Sequence, residues 1–261
     1  MTSNTYPTEN HSRAASKFVE LFSSEKRIVA ILLVGSCARG SASPDSCLDI
    51  TVMMDDERDA DVFAKHVESI WNTTEESSGL QRTGRFSNLD LNFTDGKFRP
   101  GKRGWTSGPD SFEIEVGNTY VYSVPLFDRD GAFEERGRAF LPYYDDELRK
   151  ERLANIEKYF YNNLDHIPLY VRRGLHFQSL ERLINASREY LQALFVYSRI
   201  YPISYDKWIR FQLVDMLKRS DIYFELVEMF QIKRIESNEL IDKSARLRDM
   251  AERDLGFSDF G

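Results

Sequence analysis

Residues Val34–Met53 read VGSCARGSASPDSCLDITVM, and the fold turns on this stretch. An apolar, β-branched run from Arg27 to Gly35, RIVAILLVG, leads into it and predicts a buried strand. The residues after Gly35–Ser36 predict the first turn of a helix. Gly35 lets the backbone approach a ligand closely, and Ser36 offers a hydroxyl and N–H groups to a phosphate. The turn Ser43-Pro44-Asp45-Ser46 then leads into a second strand, Cys47 to Met54. Period-two alternation puts Cys47, Asp49 and Thr51 on one face of it, with Leu48, Ile50 and Val52 toward the core. A phosphate cradle beside a strand that presents oxygen ligands suits magnesium-dependent phosphoryl chemistry.

Outward from this stretch, residues 9–25 predict a helix with Ala14, Phe18, Leu21 and Phe22 on one face. Residues from Arg58 to about Glu76 predict another, with Val62, Phe63, Val67, Ile70 and Trp71 at helical spacing. Asn88–Phe93 and Phe112–Val116 alternate strictly and read as strands, and Tyr120–Leu126 reads as a further one. Thr94 to Ser111 holds four glycines and two prolines and reads as a loop or long hairpin connection. From Asp145 onward the pattern is of amphipathic helices broken at Pro168, Pro202 and Ser237–Asn238. The character changes between about 130 and 145, which divides the chain into an α/β domain over 1–138 and a helical domain over 139–261.

The chain has 261 residues, 41% of them hydrophobic and 30% charged, the balance of a globular protein. No apolar run approaches the roughly 20 residues needed to span a bilayer. The first residues are polar and include Glu9, Arg13 and Lys17, with no secretory apolar region, so the expected compartment is the cytoplasm and no membrane partner is expected. Cys37 and Cys47 stand ten apart and read as free thiols, although a disulfide between them is open geometrically. No spacing suggests a zinc site. A formal net charge of -7 argues against broad nucleic-acid binding and suits a cationic substrate.

The string of strand, Gly35-Ser36, Ala38-Arg39-Gly40, Pro44-Asp45-Ser46 and acidic strand resembles the nucleotidyltransferase superfamily, of the polymerase beta-like kind that includes the aminoglycoside and lincosamide nucleotidyltransferases. The family pattern is Gly-Ser, a spacer, then Asp-x-Asp or Asp-x-Glu on a strand. The resemblance implies an α+β fold: an N-terminal nucleotidyltransferase-type mixed sheet flanked by helices, followed by an all-α helical-bundle domain. It implies a nucleoside triphosphate as substrate and Mg2+ or Mn2+ as cofactor. Gly35, Ser36 and Arg39 would bind the nucleotide, and Asp49 falls on the second acidic position. Cys47 occupies the first. A register with Asp49 first and Thr51 second fits the turn less well. By the same resemblance Lys207, in the stretch IYPISYDKWI from Ile200 to Ile209, would neutralise phosphate charge while Trp208 packs in the core.

Such a site needs a third carboxylate, as metal ligand or as the base for the acceptor hydroxyl. Asp90 shares the polar face of its strand with Asn88 and Asn92 and is the first choice. Glu113 and Glu115 are the rivals. Arg172, Arg173 and His176 resemble an arginine–histidine pair of minimal nucleotidyltransferase partners, but the gap is too short to match. Because a thiol is a poor magnesium ligand, three readings of Cys47 stay open: a one-metal enzyme, a slow one, or a nucleotide-binding protein that has lost catalysis. The enzyme reading transfers a nucleoside monophosphate to a hydroxyl of a small, aminoglycoside-like molecule or of a protein.

Overall fold

The structure, a computed structural model, describes residues 6–56 and 58–258. Contacts divide the chain into two compact units, Met1–Phe98 with Glu115–Pro142 and Arg99–Ile114 with Tyr143–Gly261.

The first unit is built on four strands: β1 (Ile28–Leu33), β2 (Leu48–Met54), β3 (Leu89–Thr94) and β4 (Val124–Asp128). Their order is β3-β2-β1-β4, with β2 parallel to β3 and every other pairing antiparallel. All six residues of β1 are buried, which is why that segment reads as continuously apolar. Helix α1 (Glu9–Phe22) starts where the Thr8 hydroxyl accepts from the His11 N–H. Its Ala14, Phe18 and Phe22 join Ile31, Leu33, Leu48, Ile50 and Val52 of the sheet in one core. Phe63, Val67 and Trp71 complete that core from α3 (Ala60–Trp71), and the Phe18 ring lies 5.8 Å from Trp71. Two short helices, α2 (Gly35–Ala38) and α4 (Glu75–Gln81), link the strands on this side.

The helix expected over 58–76 ends at Trp71, and α4 begins afresh where the Thr74 hydroxyl accepts from the Ser77 N–H. The strand expected over Phe112–Val116 is instead helix α5, continued by a π-helical stretch Gly117–Val121, so that β4 begins only at Val124. Alternation there was satisfied equally by a helix: Phe112 and Val116 are buried four residues apart, and Glu113 is buried as well.

The second unit is helical: α7 (Asp146–Arg172), α8 (His176–Ser198), α9 (Ser220–Met229) and α10 (Glu239–Leu255), with short α6 (Ala132–Gly137) preceding it in the first unit. Ile156, Phe160, Leu164, Leu183, Tyr190, Leu194 and Leu247 form its core. Pro168 does not break α7, which runs on to Arg172. It lies in the last turns, where a missing N–H removes a single bond to an earlier carbonyl. Trp208, expected in the core, is 46% exposed and has φ of 59°. Gln212 sets that loop, its amide donating to the Ser204 and Lys207 carbonyls and accepting from the Ile203 N–H.

The excursion Arg99–Ile114 is fastened to the helices by buried charge. Arg152 donates to Glu113 Oε1 and Oε2 at 2.7 and 2.8 Å and to Asp110 Oδ2 at 2.7 Å. The Tyr144 hydroxyl and the Gln192 amide donate to the same Glu113 carboxylate. Arg103 pairs with Glu189, both nearly devoid of solvent contact.

Candidate active site

The site begins where β1 ends. The Val34 N–H donates to the Asp49 carbonyl at 3.0 Å, tying the exit of β1 to β2. The next residue, Gly35, has φ of +65°, a conformation side chains rarely adopt. A Cβ placed on Gly35 would fall 1.8 Å from Asp49 Oδ2, so only glycine lets the turn close over this carboxylate. The Ser36 N–H donates to Asp49, as does the Cys47 thiol, and the Arg39 guanidinium stands close enough to favour its charge. The loop after the first strand and the Asp49 carboxylate therefore meet at one point.

Asp90 arrives by register. In the parallel β2/β3 pair, Asp49 faces Asp90 directly. Adjacent strands lie about 4.8 Å apart and in-register partners share a face. The burial of β3 alternates as expected, with Asp90 and Asn92 exposed and Leu89, Leu91 and Phe93 half-buried. The entry to both strands is locked from outside the site. Asp45 Oδ1 accepts from the Arg85 N–H at 3.1 Å, and the Ser87 hydroxyl donates to the Pro44 carbonyl at 2.6 Å.

Burial holds the Asp49 carboxyl above the usual carboxylate range; Asp90 pushes the same way, while Cys47, Arg39 and the Ser36 N–H only partly oppose it. The Cys47 thiol is pushed up to about 12 by burial, and next by its bond to Asp49. It is thus a protonated donor to the carboxylate rather than a thiolate. Cys37 is pushed up to about 11 by burial, and its Sγ donates to the Cys47 carbonyl at 3.6 Å. Both cysteines are free. Burial lowers Arg39, with Asp49 and Tyr122 opposing that shift. Burial also pushes the Tyr122 phenol up to about 12.

Gly35, Ser36, Arg39, Asp49 and Asp90 thus stand together in the first unit. Lys207 is an exposed residue of the second unit, in the loop before the π-helical stretch Phe211–Met216. Thr51, the second ligand in the alternative register, is 3% exposed and faces no solvent. Glu113 belongs to the ion network of the second unit, where Arg152, Tyr144 and Gln192 use its lone pairs. Nothing in the sequence marks Tyr122, because the segment holding it reads as strand, whereas Tyr122 caps a π-helical turn.

Among the described residues no three His, Cys, Asp or Glu side chains are gathered tightly enough to hold a metal ion by themselves. The donors present suit a different arrangement. Asp49 and Asp90 supply hard oxygen ligands from neighbouring strand positions, and magnesium is commonly held by one or two carboxylates together with the phosphates of its substrate. The protonated Cys47 adds no such ligand.

Residues 15–86 match the family model of the nucleotidyltransferase domain. The match begins within α1, takes in the Gly35 turn, Cys47 and Asp49 and stops four residues short of Asp90. It supports the nucleotidyltransferase superfamily and, with it, a general nucleotidyl-transfer function. No curated protein matches the chain. Among the described residues no helix is long and apolar enough to cross a membrane.

Proposed function

We propose that the chain transfers a nucleoside monophosphate from a nucleoside triphosphate to a hydroxyl of a small cationic molecule or of a protein. The observation that carries this reading is the closure of the Gly35 turn onto Asp49, with Asp90 beside it in register. Gly35 and Ser36 bring backbone against the polyphosphate, and Arg39 supplies positive charge to it. Asp49 and Asp90 would hold Mg2+ or Mn2+, which when bound neutralises phosphate charge and orients the reacting groups. The acceptor oxygen bonds to the α-phosphorus as the bond from that phosphorus to the α–β bridging oxygen breaks, and pyrophosphate leaves with the bridging oxygen. Asp90, exposed on its strand, takes the hydroxyl proton. The acidic balance of the chain, -7, supports a cationic acceptor.

The test is pyrophosphate release with magnesium, each of the four nucleoside triphosphates, and panels of aminoglycosides and hydroxyl-bearing proteins. Asp49→Asn is expected to reduce turnover on the order of 1,000-fold, because several kcal/mol of charge stabilisation depends on that carboxylate. Turnover unaffected by Asp49→Asn would defeat the reading.

A second reading, a nucleotide-binding protein with weakened or lost catalysis, is favoured by one observation. The Cys47 thiol is spent on a hydrogen bond to Asp49 at the place where a second carboxylate would stand. Under it the native chain binds nucleotide without releasing pyrophosphate, and Cys47→Asp confers release. Under the first reading Cys47→Asp only tightens magnesium, by about tenfold, read from the metal dependence of the rate.

A further inference from the structure

Tyr122 has no part in the chemistry described so far, yet the strand pairing carries it to the phosphate turn. β1 and β4 are antiparallel, and Leu33 pairs with Val124. Two residues beyond Leu33 the chain makes the positive-φ turn at Gly35, and two residues before Val124 it passes through Tyr122. The antiparallel register thus lays Tyr122 alongside the turn that closes on Asp49. The π-helical stretch Gly117–Val121 ends immediately before it, with the Tyr122 N–H donating to the Gly117 carbonyl at 3.0 Å. Such stretches insert one residue per turn and re-aim the side chains that follow them. From the other side, Arg39 closes the last turn of α2, its N–H donating to the Gly35 carbonyl.

We infer that Tyr122 is a positioning residue of the phosphate turn: its phenol oxygen stands by the Arg39 guanidinium and keeps that charge at the rim of the turn, where a polyphosphate would meet it. This rests on the nucleotide reading given above. Arg39 needs such a support because Asp49 also attracts it. A second neighbour shares the guanidinium with the carboxylate, so that Arg39 is not held by Asp49 alone. The mutual electrostatic effect of Arg39 and Tyr122 agrees with the placement that the strand register gives. Both side chains are half-buried, which leaves room for one ligand face and limits other rotamers.

The experiment is a double-mutant cycle on the full chain, reading the dissociation constant of whichever of Mg·ATP, Mg·GTP, Mg·CTP or Mg·UTP binds most tightly. Tyr122→Phe keeps the ring and removes the oxygen, and Arg39→Ala removes the charge. Each single variant is expected to weaken binding about tenfold. The double variant is expected to weaken it about tenfold as well, because the phenol acts only through Arg39. Melting temperatures without nucleotide should stay at the native value for Tyr122→Phe, separating positioning from folding. Unchanged affinity in Tyr122→Phe, or a double variant near the hundredfold product, overturns the assignment of Tyr122 while leaving the nucleotide reading standing. Failure of the native chain to bind any of the four nucleotides overturns both.

Discussion

Asp49 in the first unit and Asp254 in the second are both carboxylates largely withdrawn from water, and their surroundings pull them in opposite directions. Burial raises Asp49, and its hydrogen bonds from Cys47 and Ser36 with the nearby Arg39 do not make up the difference. Burial acts on Asp254 too, but side-chain hydrogen bonds from Arg253, Tyr190 and Arg219 outweigh it and hold the group below the usual carboxylate range. Glu113 in the second unit is likewise ringed by donors, with Arg152, Tyr144 and Gln192 bonding to its two oxygens. A carboxylate saturated by fixed donors strengthens the fold and has nothing left to offer a ligand. One left short of positive charge is a standing cost to the folded state, relieved when a cation arrives. The contrast agrees with the site proposed in the first unit and with structural ionic bonding in the second.

Four changes can break or sharpen this contrast. The largest effect belongs to Arg152→Ala. It strands Glu113 and Asp110 without their cation, and removing one partner of a buried pair costs about 3–5 kcal/mol. Urea unfolding should show this loss; a change below about 1 kcal/mol would mean that the network contributes little.

Gly35→Ala comes next. The added methyl meets Asp49 Oδ2 in a backbone conformation that costs an L-residue roughly 1–2 kcal/mol. Nucleotide affinity should fall at least about tenfold, and turnover should fall further, because the displaced group is the carboxylate itself. Calorimetric titration with magnesium nucleotide measures the first effect, and an unaltered affinity would remove Gly35 from the site.

The smallest effects are a matched pair of opposite sign. Asp254 has a lowered folded-state value, so its contribution is present above the unfolded value of about 4 and fades as pH falls through the folded one. Asp254→Asn should therefore lower the melting temperature at pH 7, with the gap closing on acidification. Asp49 has a raised folded-state value, so its folded form is favoured only when protonated, and that advantage is gone above its folded value. Asp49→Asn should raise the melting temperature of the nucleotide-free chain at pH 7, and the gain should disappear in acid. Melting curves from pH 7 to pH 3 test both, and shifts of the same sign would collapse the distinction.

Much of the first unit is legible in the sequence because its signals are local. Continuous apolarity marks β1, alternation marks β2 and β3, and a glycine before a serine marks the turn between. The same alternation misled at Phe112–Val116, where a pattern of period two also fits one buried stripe of a short helix. Glu113 reads as a surface strand residue until Arg152, thirty-nine positions away, is brought to it. Tyr122 carried no signal of its own, since a π-helical turn is set by backbone pairing that leaves no periodic trace.

The sequence by itself determined that a strand, a glycine turn and an acidic strand follow one another, since each step rests on the backbone preference or hydrophobic period of adjacent residues. Only the tertiary structure decided which acid stands beside Asp49. That choice depends on β3 joining β2 in parallel and in register, a pairing across some forty residues that no local preference encodes. The same long-range packing separated the carboxylate left open to a ligand from those locked among arginines, because a charge is satisfied or stranded by neighbours the chain supplies only once it has folded.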